Sequence, residues 1–292
     1  MAANLDQLLT RLDALLDRVE PWLPASTEPD WNAVAWRWRK DAQRGRLEAI
    51  QRPHRLRLED LHCIDRQRDE IDRNTRQFLA GGGANNVLLS GSRGTGKSSL
   101  IKALLTTYQD QGLRLIEVDK DDLTDLPEII DQIDGRGERF ILYCDDLSFE
   151  ASESGYKALK AALDGSLSAP PDNLLIYATS NRRHLLPESQ RDNQDARMID
   201  GEIHQGEAVE EKISLSDRFG IWLSFYPFSQ AEYLRVVQHW LAQLGATNAD
   251  PAETERQALQ WALRRGSRSG RTAWQFARDW AGRGAAIGRA SS

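Results

Sequence analysis

Residues 91–98 read Gly91-Ser92-Arg93-Gly94-Thr95-Gly96-Lys97-Ser98, a complete G-x-x-x-x-G-K-S loop. Few short motifs constrain a fold so tightly, because the loop needs a buried strand to deliver it and a helix to receive it. Its glycines let backbone N–H groups curl around phosphates, Lys97 can reach the β/γ-phosphates of a nucleotide, and the Ser98 hydroxyl can ligate Mg²⁺. Both flanks agree. Asn86-Val87-Leu88-Leu89-Ser90 is a short apolar run ahead of the loop. Behind it, Ser99-Leu100-Ile101-Lys102-Ala103-Leu104-Leu105 has helical composition, with Gly112 as a stop. A Gly-rich surface turn, the plain alternative, requires neither flank.

The rest of the chain alternates in the same sense. Residues 65–79 read as a helix that Gly81-Gly82-Gly83 breaks before the first strand at 87–90. Apolar runs follow at 113–119, 140–146, 174–181 and 221–225, with a short helix near 126–133. Continuous apolar strands separated by helices predict a parallel sheet covered on both faces. Beyond Pro227 the pattern turns helical. Ser229-Gln230-Ala231-Glu232 is a capping box opening a helix to about residue 244, Pro251 starts another that ends near Gly266, and a third spans about 272–282. The predicted divisions are an N-terminal helical and basic extension (1–57), an α/β core (58–228) and a helical lid (229–292).

At the N-terminus, Leu5, Leu8, Leu9, Leu12, Leu15, Leu16 and Val19 recur at the spacing of one helix face, closed by Pro21 and Pro24. Packing on the same chain and docking onto a second subunit or partner are the two uses of such a stripe. Trp36-Arg37-Trp38-Arg39-Lys40 alternates aromatic and basic residues, as an edge strand or packed arm does, with nucleic-acid stacking the lesser alternative.

A net charge of −6 argues against a surface that binds nucleic acid everywhere, although the arginines from Arg256 onward form a basic lid. No apolar run approaches the roughly 18–20 residues that span a bilayer. With Cys63 and Cys144 alone, a disulfide framework is not expected and a reducing cytoplasm fits.

Asp145, at the end of an apolar strand, is the candidate carboxylate for Mg²⁺ opposite Ser98. Asp146 is then placed to orient or activate an attacking water, the alternative being a turn start. Asn181 ends the next strand, where it could bridge a γ-phosphate and that water or merely cap a turn. Arg218, just before the last strand, could reach a neighbouring subunit's nucleotide as an arginine finger, or pair with Asp217 or another acid. Arg271 opens a lid helix and could contact the γ-phosphate, or face solvent.

From about residue 58 to 280 this order of features resembles the AAA+ ATPases. Gly91-Ser92-Arg93-Gly94-Thr95-Gly96-Lys97-Ser98-Ser99, Asp145-Asp146-Leu147-Ser148-Phe149-Glu150, Ala178-Thr179-Ser180-Asn181-Arg182-Arg183-His184-Leu185 and Ser214-Leu215-Ser216-Asp217-Arg218-Phe219-Gly220 are similar to a bacterial AAA+ family of unknown role. The resemblance implies a five-stranded parallel core with a lid, a homo-oligomer, and ATP with Mg²⁺ held by residues 91–99. It also implies an adenine pocket in which Leu61 and Ile64 meet the base. Departures accompany it. Most AAA+ motors carry Asp-Glu where this chain has Asp145-Asp146, which implies slow hydrolysis or help from Glu150. Cys63 stands where related proteins usually carry glycine. Asp217-Arg218-Phe219-Gly220 resembles the finger segment of branch-migration motors.

The functional expectation is an ATPase that remodels or loads a macromolecular partner, an unidentified protein or, with weaker support, nucleic acid. The alternatives are an ATP-gated scaffold with little turnover and a small-molecule phosphotransferase in which Asp146 deprotonates a hydroxyl. No Asn-Lys-x-Asp guanine-reading motif occurs, which disfavours GTP. The polar insert between Asn181 and Ile213 reads as a solvated loop or a pore-lining loop, and no aromatic-hydrophobic-glycine pore motif accompanies it.

Overall fold

The computed structural model describes residues 28–41, 44–148, 154–164, 171–181, 197–199, 202–204, 217–246 and 250–290. Residues 1–31 and 32–292 form two compact units. The N-terminal leucine stripe, Glu150 and most of the acidic insert lie outside the described residues.

The strands are β1 (Ala35–Asp41), β2 (Arg44–Ala49), β3 (Val87–Gly91), β4 (Leu113–Val118), β5 (Arg139–Cys144), β6 (Leu174–Ser180), β7 (Arg197–Ile199), β8 (Glu202–His204) and β9 (Ile221–Phe225). The helices are α1 (Asp65–Leu79), α2 (Lys97–Tyr108), α3 (Leu126–Ile133), α4 (Ser154–Asp164), α5 (Gln230–Gln243), α6 (Pro251–Arg265) and α7 (Gly270–Ala290). One sheet runs in the order β2-β1-β4-β5-β6-β3-β9, and β7 pairs with β8 in a separate hairpin. Among the described residues, no helix is long and apolar enough to cross a membrane.

The five strands from β4 to β9 are mutually parallel, as the apolar runs predict. Val87, Leu88 and Leu89 of β3 and residues 140–144 of β5 are fully buried, because helices cover both faces of the inner strands. β9, at one edge, instead alternates buried Ile221, Leu223 and Phe225 with exposed Trp222 and Ser224.

The expected five-stranded sheet is corrected to seven. β1 adds in parallel to the free edge of β4, and β2 folds back antiparallel on β1. Its aromatic-basic alternation is that of a strand with one buried face. Trp36 and Trp38 are buried, whereas Arg37 pairs with Glu117 at 2.6 Å and Lys40 with Asp125 at 2.7 Å. Trp38 Nε1 donates to Asp125 as well. Those cations are neutralised within the chain, on a strand that β2 and β4 flank on both sides.

The lid helices stop and start where their caps say. Glu232 N–H donates to Ser229 Oγ and Ser229 N–H to Glu232 Oε2, closing the expected capping box on α5. Asp250 caps α6 ahead of Pro251. The third helix is longer than expected, Gly270–Ala290. Tyr233, Val236 and Leu241 of α5 pack with Ala258 and Ala262 of α6 and with Phe276 of α7 in the buried core.

At the end of β3 the backbone passes under β9 so closely that Gly91 has no substitute. Its φ is +129°, and a Cβ there would lie 1.9 Å from the Phe225 carbonyl oxygen. Gly91→Ala is expected to cost about 3 kcal/mol or more, read as a drop in urea midpoint at unchanged m-value.

Candidate functional site

Three neighbouring strands end at one place. β3 delivers the 91–98 loop, β5 delivers Asp145 and Asp146, and β6 delivers Asn181, so the site sits at the carboxyl edge of a parallel sheet. A cavity of about 830 Å³ opens there. Its wall includes Arg93 to Ser99, Asp145, Asp146 and Asn181 from the core, Leu61 and Ile64 from the segment before α1, and Arg271 from the lid.

The loop is spanned by its own lysine. Lys97 Nζ donates to Gly91 O and Ser92 O, both at 2.8 Å, and to Asn181 Oδ1 at 3.0 Å. Thr95 Oγ1 donates back to Ser92 O. Burial lowers the Lys97 pKa to about 8; Asp145 and Asp146 oppose that shift, while Arg93 and Arg271 reinforce it. Gly94, at φ +76°, lies against the lid, where a Cβ would come within 2.8 Å of Ser269 Oγ. Ser269 Oγ in turn accepts the Thr272 N–H and so caps α7, whose Arg271 N–H points at Gly94 O.

The two aspartates have different surroundings. Asp145 Oδ1 accepts from Ser98 Oγ at 2.7 Å and from Thr179 Oγ1 at 2.6 Å. Burial would raise the Asp145 pKa, but Thr179, Ser98 and the Tyr143 hydroxyl, with Lys102 nearby, outweigh that effect and hold the carboxyl below its ordinary range. Asp146 has a left-handed backbone (φ 53°), and its N–H donates to Thr179 Oγ1. Its Oδ1 accepts from Asn181 Nδ2 at 2.5 Å, and its Oδ2 lies 3.6 Å from Arg93 Nη2. Lys97, Asn181, Asp146 and Arg93 thus form one continuous polar chain.

The Ser98–Asp145 pair suits Mg²⁺, which takes oxygen ligands and keeps several waters. The Tyr143 hydroxyl is buried close to both, and burial raises its pKa. Among the described residues no cluster of three His, Cys, Asp or Glu is placed to hold a metal unaided.

Towards the lid the wall becomes aromatic. Trp240 of α5 and Trp274 of α7 meet edge to face at 4.7 Å, and His62 lies 4.2 Å from His239. Burial, followed by the neighbouring His239, holds His62 below its ordinary pKa. Cys63 sits at φ 65°, a left-handed backbone that explains why glycine suits this position; its Sγ faces Glu232 O at 3.8 Å.

Among the described residues expected from sequence, Gly91 and Ser92 do not line the cavity, although Lys97 bonds both of their carbonyls, and Arg218 stands apart from it. Its Nε pairs with Asp164 at the end of α4, the alternative that the sequence left open. Thr179, Trp240 and Trp274 were not identified. Thr179 had a usable signal, because it lies two residues before Asn181 and strand period two puts both on one face. The tryptophans had none, since helical spacing does not say which neighbour a buried face meets.

The family described as "Protein of unknown function (DUF815)" matches residues 31–284. No curated protein matches the chain. Among solved structures it is similar to the Thermotoga maritima RuvB Holliday junction branch migration motor, at 16% identity and a TM-score of 0.49, with 77% of this chain and 64% of that one covered. Two single-residue variants of the same RuvB each give 14% identity and a TM-score of 0.50. They cover 76% of this chain and 63% and 62% of theirs. The matched region is less than two thirds of the RuvB chains. At this identity the likeness is one of fold, a parallel sheet flanked by helices.

Proposed function

We propose, for a chain that belongs to the DUF815 family and has an AAA+ fold, that the cavity binds ATP with Mg²⁺ and hydrolyses it to remodel or load a macromolecular partner. The observation that carries this reading is the meeting of Lys97, the Ser98–Asp145 pair and the Asn181–Asp146 pair beneath one phosphate loop.

In this reading, backbone N–H groups of residues 92–99 and Lys97 bind the phosphates, Leu61 and Ile64 face the base, and Ser98 with Asp145 holds Mg²⁺. The cation would neutralise charge on the β- and γ-phosphates. Asp146 orients a water, which adds to the γ-phosphorus as the bond to the β–γ bridging oxygen breaks. The electron pair stays on ADP, and the water's proton passes to Asp146 and then to solvent. Asn181 fixes the Asp146 carboxylate and faces the γ-phosphate, and Arg271 approaches it from the lid. A core at 58–228 and a lid at 229–292 would then close on the nucleotide. Assembly into a homo-oligomer with Arg218 acting on a neighbour's nucleotide belongs to the same reading, and it requires the Arg218–Asp164 pair to open.

One observation favours a second reading, an ATP-gated scaffold with rare turnover: the shorter Asp146 is already held by Asn181. Phosphate release from ATP with Mg²⁺ and no added acceptor separates the two. Steady release supports the ATPase. Nucleotide binding without release, in the presence of candidate partners, supports the scaffold.

Binding also has a proton signature. Lys97 of the free chain titrates near pH 8, and phosphates favour its charged form, so binding takes up a proton between about pH 8 and 10. Affinity is expected to hold steady below pH 8 and to fall as pH rises through it. Calorimetry in two buffers of different ionisation enthalpy reads the uptake directly, and identical heats at pH 9 would count against Lys97 as the phosphate ligand.

A further inference from the structure

We propose that Arg93, from within the phosphate loop of the same subunit, is the cation that binds the γ-phosphoryl group and balances its charge during transfer. This assignment rests on the nucleotide reading of the cavity and adds a role that the motif itself does not require, since position 93 is one of its variable positions.

The geometry supplies three reasons. Arg93 lines the cavity with a side chain that is 77% exposed, so little packing fixes the guanidinium in place. Its Nη2 stands 3.6 Å from Asp146 Oδ2, whereas Asn181 binds the other oxygen of the same carboxylate. It therefore already sits beside the group that would hold the attacking water. Of the other arginines proposed for charge balance, Arg218 lies outside the cavity and is paired with Asp164, and Arg271 lines it from the lid side.

The pairing suggests an exchange. An ion pair this exposed is weak, and a γ-phosphate entering the loop offers Arg93 a more highly charged, bidentate partner. As the guanidinium moves to the phosphate oxygens, Asp146 Oδ2 is released to accept the water's proton. The transfer itself is unchanged: the water oxygen bonds to phosphorus, the bridging oxygen leaves with the electron pair, and Arg93 donates to oxygens on which charge accumulates. ADP lacks the group that triggers the exchange. Arg93 should therefore distinguish triphosphate from diphosphate as well as accelerate turnover.

The test measures Arg93→Ala against the wild type in two ways. Affinities for ADP and for a non-hydrolysable ATP analogue, both with Mg²⁺, report the γ-phosphate contact without any need for turnover. The variant is expected to lose about tenfold for the triphosphate while ADP changes less than twofold. Under saturating ATP, kcat should fall by about 10²-fold or more, with Arg93→Lys intermediate. Mixing Arg93→Ala with Lys97→Ala protomers should restore nothing. An unchanged triphosphate-to-diphosphate ratio overturns the assignment whatever the turnover, and so does restoration on mixing, which would put the arginine in trans. A wild type that binds neither nucleotide would instead remove the underlying reading of the cavity.

Discussion

Replacing Lys97 with alanine is expected to abolish the thermal stabilisation produced by ATP and to cut phosphate release by about 10³-fold or more. The expected size follows from where the charge sits. Lys97 is 5% exposed, and its ammonium is the one side-chain donor that bridges the loop carbonyls and Asn181. Truncating one partner of a buried, hydrogen-bonded charge pair typically costs about 2–5 kcal/mol, which is roughly one and a half to three and a half orders of magnitude in affinity. Turnover falls further, because Asn181 loses the donor that sets its amide towards Asp146. The fold should survive. The folded pKa of Lys97, about 8, lies below its unfolded value, so its charge works against folding in full below pH 8, and the effect fades as pH rises towards the unfolded pKa. Lys97→Met, which keeps the bulk, is therefore expected to melt no lower than the wild type at pH 7 without nucleotide, yet to show no shift with ATP. A melting temperature that falls sharply in both variants would mark Lys97 as structural instead.

What could be read in advance follows from what is local. The phosphate loop, the capping box at Ser229 and the apolar strands each depend on a few adjacent residues, and they stand where the sequence puts them. Helix α3 and strand β9 even keep their expected ends. The hairpin strand β2 was illegible for a tertiary reason: Leu47 is its one buried apolar side chain, and its partner β1 supplies the pattern. Arg218 shows a different limit. Its position ahead of the last strand was evident, but direction is not encoded in position, and Asp164 is 54 residues away. The same applies to Trp240 and Trp274, whose spacing speaks of burial and not of a cavity wall. Cys63 was legible as a departure from glycine, but only the backbone angle turns that departure into physics.

Asp146 is where local backbone and chemistry meet, and Asp146→Asn is the substitution that separates them. Asparagine, like aspartate, tolerates the left-handed φ of 53° at this position, whereas a longer side chain such as glutamate is disfavoured there. A strand that turns this sharply beneath Thr179 thus gives a reason for the shorter acid. The variant should fold as the wild type does and bind ATP at least as tightly, because a negative charge beside the γ-phosphate has been removed. Phosphate release should fall by about 10²-fold or more, with kcat carrying the loss, since a neutral amide cannot take the water's proton. Asp146→Gly provides the control. It relaxes the backbone completely yet lacks the carboxylate, so it should be as slow as the asparagine variant. Turnover retained in both would move the base elsewhere; turnover lost only with glycine would make Asp146 a bracket for Asn181 and nothing more.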